Sequence, residues 1–178
     1  NKSFANYSFY LGTTNDNIEE IKKTSKRACG VKIFMGASTG NMLVDNIKSL
    51  ENIFLHCPKL IATHCESSPI IDKNFEAAKE KYGDDIPLEL HTEIRSRECC
   101  IESSTLAINL ARNYGSRLHV LHLTTKEEVD FFSKSADVAG KSITAEVCIH
   151  HMLYSKKDYA RKKGFIKCNP SIKEESDR

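Results

Sequence analysis

Along this chain, short apolar runs alternate with longer segments in which apolar residues recur every three or four positions. Residues 7–11 predict a strand ending at Gly12. A helix follows, capped at Asn15 or Asp16, running through Ile18 and Ile21 to about Ala28 and stopped by Gly30. Residues 31–35 read as a second strand, and the small polar loop 36–41 comes after it. Ile47, Leu50, Ile53 and Phe54 mark one face of a helix over about 44–57, and residues 60–63 form a third strand ending at His64. A polar helix from Pro69 to about Tyr82 leads into a loop over 83–92. A longer helix covers about 97–114, with Gly115 as its stop. Residues 118–123 make a fourth strand, a helix spans 126–134, and residues 142–147 are a further strand. A helical piece at 158–163 and a short extended run at 164–167 close the series, and the Lys/Glu-rich end after Pro170 reads as a solvated tail. About six strands alternating with helices predict a parallel sheet of βαβ units in one domain over residues 1–178. A doubly wound sheet fits this length, while a closed (β/α)₈ barrel needs eight strands, so the chain would supply part of one.

Composition narrows the function classes. There are 26 basic and 24 acidic side chains, a net charge of +2, which lacks the clustered excess that a phosphate backbone demands; no nucleic-acid partner is expected. No apolar run approaches membrane-spanning length, so no membrane partner is expected either. The seven cysteines are irregularly spaced, with Cys99 and Cys100 adjacent and no Cys-x-x-Cys pair. That layout suits a reducing, cytoplasmic setting better than a disulfide framework.

Three polar residues interrupt or end apolar strands. Lys32 lies within Val31-Lys32-Ile33-Phe34-Met35, His64 ends the third strand, and His122 ends Leu118-His119-Val120-Leu121. Sites in parallel α/β sheets assemble at the C-terminal ends of strands, which makes the two histidines natural metal ligands. A buried ammonium is costly, so Lys32 is useful there if neutral or if carboxylated to a carbamate that bridges two metals. Taken singly, an edge-strand lysine and hydrogen-bonded structural histidines are the plain alternatives. The three together favour a metal site. The loop 36–41, with Ser38 and Thr39, is small enough to approach a ligand. His150-His151 is as consistent with packing as with a substrate contact, and Asn169-Pro170 with a plain turn as with a ligand amide. His119 reads as a supporting or core histidine. Cys65 falls on the opposite strand face from His64.

Five ordered blocks carry a family resemblance: Gly30-Val31-Lys32-Ile33-Phe34-Met35-Gly36, Ala62-Thr63-His64-Cys65-Glu66, His119-Val120-Leu121-His122-Leu123-Thr124, Glu146-Val147-Cys148-Ile149-His150-His151 and Ile166-Lys167-Cys168-Asn169-Pro170. In these the chain resembles the dihydroorotases of the amidohydrolase superfamily, in the branch shared with hydantoinases and allantoinases. The resemblance implies a partial (β/α)₈ TIM barrel of the metal-dependent hydrolase type, with the first and last strands missing, so that residues 1–178 are the central part of one barrel domain. It implies two zinc ions (Zn2+) per intact site, Lys32 as the bridging carboxylated lysine, and His64 and His122 as ligands of the second metal. Asn169, His150, Ser38 and Thr39 would contact the substrate. The family's His-x-His pair has no counterpart before Tyr7, and its general-base aspartate would fall beyond Arg178, so this chain alone is expected to be inactive. The implied reaction is reversible hydrolysis of the cyclic amide of dihydroorotate to N-carbamoyl-aspartate, in pyrimidine biosynthesis. Ala37 stands where hydantoinases usually place a tyrosine, and Gly40-Asn41-Met42-Leu43-Val44 and the double histidine favour dihydroorotase. An allantoinase- or hydantoinase-type cyclic amidohydrolase and a non-catalytic scaffold are the alternatives. Open edges of an incomplete barrel would favour a homodimer.

Overall fold

In a computed structural model, which describes residues 3–36, 41–135 and 137–178, the chain builds a five-stranded, all-parallel sheet. Strands β1 (Tyr10–Gly12), β2 (Gly30–Phe34), β3 (Leu60–His64), β4 (Leu118–Val120) and β5 (Ile143–Ala145) lie side by side in chain order. A doubly wound sheet reverses its strand order at a switch point. Here the order never reverses, so each strand extends the sheet in the same direction, as in the wall of a barrel. Helices α1 (Ile18–Lys22), α2 (Ile47–His56), α3 (Ser68–Tyr82), α4 (His91–Ile94), α5 (Arg97–Tyr114), α6 (Lys126–Val129), α7 (Ile149–Leu153) and α8 (Tyr159–Lys162) complete the described elements. Among the described residues no helix is long and apolar enough to cross a membrane.

The core lies on one face of the sheet. Val31, Ile33, Ile61, Leu118 and Val120 pack with Leu50, Ile53 and Phe54 of α2 and with Ala107, Ile108, Leu110 and Ala111 of α5. Burying each large aliphatic contributes about 1.5–3 kcal/mol. The other face carries polar groups in register. Gly12 is opposite Lys32, Lys32 opposite Ala62, Ala62 opposite His119 and His119 opposite Thr144, a single row across all five strands. One step further on, Phe34 pairs with His64.

Several expectations are corrected. The first strand begins at Tyr10, not Tyr7. Helix α1 stops at Lys22 rather than near Ala28, because the Thr24 hydroxyl donates to the Ile21 carbonyl at 2.5 Å and Ser25 accepts the Arg27 N–H at 3.2 Å, local bonds that compete with the helix ladder. The loop 83–92 contains a 3-10 turn, Leu88–Leu90, and the start of α4. Residues 164–167 do not form a strand: Lys163–Ile166 is a 3-10 turn entered through Lys163 at φ 50°. Six expected strands are therefore five among the described residues.

The segment after Pro170 is not a solvated tail. Ser171, Ile172 and Lys173 are buried. The Thr124 hydroxyl donates to the Ser171 carbonyl, and the Ser171 hydroxyl to the Arg95 carbonyl, both at 2.9 Å. The Lys173 ammonium folds back onto Ser171 Oγ at 2.9 Å. Arg97 then grips both carboxylate oxygens of Asp177, at 2.8 and 2.6 Å. A few charges disguised the segment, but Ile172 and these specific bonds fasten it.

Candidate metal centre

Lys32 sits mid-strand on the polar face of β2, with its ammonium 4.4 Å above the Phe34 ring. Its Nζ is buried and has no hydrogen-bond partner among the described residues. Burial penalises the charged form and lowers its pKa to about 8. The exposed edge-strand reading of Lys32 is thereby overturned: β2 is flanked by β1 and β3.

His64 ends β3 on the same face. Its Nε2 lies 2.8 Å from Glu66 Oε2, and its Nδ1 lies 3.2 Å from Nε2 of His122. Glu66 is fully buried and also holds the Arg95 guanidinium. Burial would raise the Glu66 carboxyl pKa, but the His64 bond and the Arg95 charge outweigh it and hold the pKa below the usual range. The ionised carboxylate therefore takes the Nε2 proton of His64 as a hydrogen bond, and Nδ1 presents its lone pair to His122. His122 follows β4 with φ 44°, in the left-handed region that a non-glycine residue rarely adopts. That turn brings its ring within 4.9 Å of the His64 ring, centroid to centroid. Its Nδ1 is another buried atom without a partner among the described residues, and burial, with His64 and Lys32 adding to it, drives its pKa down to about 3. Strain of this kind gathers where a site over-determines the backbone.

The donor set suits a divalent ion of zinc type. Two imidazole nitrogens on one tetrahedral zinc stand about 3.3 Å apart, given bonds of ~2.0–2.1 Å. The 3.2 Å separation of His64 Nδ1 and His122 Nε2 matches that spacing. Lys32 supplies an unpartnered nitrogen on the same face, and Glu66 supports His64 as carboxylates support ligating imidazoles.

Other expected residues lie elsewhere. Asn169 is exposed and lines a cavity of about 400 Å³ with His91, Arg95 and Lys167, and Arg95 in turn holds Glu66 beside His64. His150 is exposed on α7, and its ring lies tilted against that of His151, which is buried. Ser38 and Thr39, with Ala37, lie outside the described residues. Cys65 points into the core beside Thr63, away from His64 as strand alternation requires, and burial pushes its thiol pKa up to about 12. His119 shares the row of Lys32 and bonds Thr144 at 2.8 Å and Glu146 at 3.3 Å.

Two contributors escaped the sequence reading. Glu66 follows His64 by two residues, the spacing that returns a side chain to one face, and that was the available signal. Arg95 had no local signal, because it arrives from the turn between α4 and α5.

No family model matches the chain. An allantoinase of Bacillus velezensis is 27% identical over 183 residues, covering 99% of this chain and 39% of the relative. A dihydroorotase of Methanosarcina acetivorans is 28% identical over 182 residues, covering 97% and 38%. The chain thus spans less than two fifths of the length of these relatives. Among solved structures, an L-hydantoinase (dihydropyrimidinase) from Arthrobacter aurescens superimposes with a TM-score of 0.84 at 24% identity, over 96% of this chain and 38% of that one. The unreversed parallel sheet therefore has the fold of part of a larger barrel, and along nearly its whole length the chain is similar to allantoinases and dihydroorotases.

Proposed function

We propose that this chain carries the lysine half of a binuclear zinc site in a dihydroorotase. The observation that carries the reading is the buried Lys32 nitrogen, unpartnered among the described residues, on the same sheet face as His64, whose Nδ1 is spaced from His122 Nε2 as for one ion. Lys32, as its carbamate, would hold both metals, and His64 and His122 would hold one. Bound zinc would supply a hydroxide near neutral pH and polarise the substrate carbonyl. Around it, Glu66 keeps the proton on Nε2 of His64, and Phe34 shields Lys32 from water. Asn169 would meet the polar edge of the substrate, and an aspartate outside this chain would move the proton to the leaving nitrogen. Dihydroorotate is favoured over allantoin by the Gly40-Asn41-Met42-Leu43-Val44 context and over hydantoin by Ala37. The similar identity to an allantoinase makes allantoin the second reading. Seven free cysteines accord with a reducing, cytoplasmic setting.

The test uses the complete reading frame loaded with zinc. Loss of dihydroorotate absorbance that a chelator abolishes is the expected result. Turnover of allantoin or hydantoin instead would replace the substrate, and two tightly bound zincs in Lys32→Ala would refute the role of the lysine.

A further inference from the structure

Cys148, His150 and His151 stand where β5 gives way to α7 and share no residue with the Lys32 centre. The Cys148 sulfur and one ring nitrogen of each histidine lie within 4.8 Å of one another. Cys148 caps α7, and the His151 N–H bonds its carbonyl at 2.9 Å, so the two side chains leave neighbouring turns of one helix face. The exposed His150 ring lies against that of His151, tilted by 48° with centroids 4.4 Å apart.

The environment of His151 points to a ligand. The residue is 6% exposed, and its Nε2 donates to the Pro170 carbonyl at 3.0 Å. That bond keeps the proton on Nε2 and leaves Nδ1 as a bare lone pair. Nδ1 is buried without a partner among the described residues. An unsatisfied buried acceptor is disfavoured by about 1–3 kcal/mol. A ring with one nitrogen bonded to a backbone carbonyl and the other free is how proteins hold a ligating imidazole. Nδ1 is also the nitrogen nearer the main chain, so it faces the preceding turn, where Cys148 sits.

We infer that Cys148, His150 and His151 bind one divalent transition-metal ion of zinc type, with Cys148 as thiolate and His151 through Nδ1. One sulfur and two nitrogens select such an ion over magnesium or calcium. Bonds of ~2.0–2.3 Å set tetrahedral donors about 3.3–3.8 Å apart, so the donors close by about 1.5 Å at most. The exposed His150 and half-buried Cys148 have that freedom. Binding releases the Cys148 proton to solvent, and a water completes the shell. Cys168 stands outside the set, its sulfur 3.8 Å from Nε2, the nitrogen committed to Pro170. For His150 this role replaces the substrate contact that the family resemblance implied.

Cobalt(II) titration of the reduced chain reads the site, because a thiolate ligand gives a near-ultraviolet charge-transfer band that Lys32, His64 and His122 cannot. The band is expected to saturate near one equivalent, to vanish in Cys148→Ser and to persist in Cys168→Ser. In His150→Gln the affinity should fall at least about tenfold, the scale seen for losing even a supporting group. No band in the unaltered chain, a band surviving Cys148→Ser, or a band lost in Cys168→Ser would overturn the inference. Alkylation of the unaltered chain gives a measure independent of variant folding. One equivalent of zinc should slow modification of Cys148 and leave exposed Cys29 unchanged, and equal rates at Cys148 with and without zinc would count against the site.

Discussion

Glu66 illustrates how one residue sets the chemistry of another. It touches Nε2 of His64 on one side and Arg95 on the other, and it is fully buried. In Glu66→Gln the amide can still reach His64, but it no longer dictates which nitrogen is protonated, and Arg95 loses its counter-ion. Metal affinity in the complete protein should fall about 10–100-fold, read by competition with a chromophoric chelator. Stability should fall by about 3 kcal/mol in urea, because a buried charge is left unpaired. Unchanged affinity alongside that loss would make Glu66 a structural residue only. Lys32, His64 and His122 stood out in the sequence because Lys32 interrupts an apolar strand and the two histidines end theirs. Glu66 and His151 were harder to see, since the significance of Glu66 lies in which nitrogen of His64 it leaves free, and that of His151 in which of its own nitrogens Pro170 leaves free.

At the scale of elements, glycines mark where backbones meet. A Cβ at Gly36 would fall 1.9 Å from the carbonyl oxygen of Glu66 and 2.7 Å from its carbon, so β2 and β3 could not keep their present approach. Gly36→Ala should cost several kcal/mol, on the order of an overpacked core substitution, and should weaken metal binding with it. Gly115 ends α5 at φ 68° with open space around it. Gly115→Ala should therefore cost only about 1 kcal/mol, the intrinsic penalty of a left-handed alanine. Urea midpoints that reverse this ranking would contradict the packing described. The same elements show what the pattern of residues could convey. Helix α5 matches the 97–114 expectation because its periodicity is long and Gly115 is unambiguous. Helix α1 fell short because Thr24 and Ser25 bond the backbone themselves, which periodicity does not register.

Across the whole molecule, the closing segment binds parts far apart in sequence. Asp177 joins Arg97 and accepts the Lys126 N–H at 3.0 Å. Burial opposes its ionisation, but Arg97 and these backbone bonds prevail and hold its carboxyl below the usual range. A carboxyl with a lowered folded-state pKa contributes stability above its unfolded value, about 3.9, and that contribution disappears as pH falls through the folded value. Denaturation scans should show the loss beginning near pH 4, and Asp177→Asn should flatten this part of the profile while costing about 2 kcal/mol at neutral pH. Strands β1 and β5 leave both sheet edges unpaired among the described residues. In a closed barrel such edges are paired by neighbouring strands. The parallel sheet could be read from alternating strands and helices, whereas the barrel rested on the family resemblance. The buried strap could not, because its charges resemble those of a solvated end and its partners, Thr124, Arg95 and Arg97, are distant in sequence.

The register of the sheet also bears on how such a protein can diversify. Val31, Ile33 and Ile61 hold the helices, while their immediate neighbours Lys32 and Ala62 line the row that reaches His119 and Thr144. Cohesion and chemistry thus occupy alternate letters of the same strands. Substitutions can rewrite one set while leaving the other intact, so the polar row can change on an unchanged scaffold, with novelty confined to every second position and the loops that follow it.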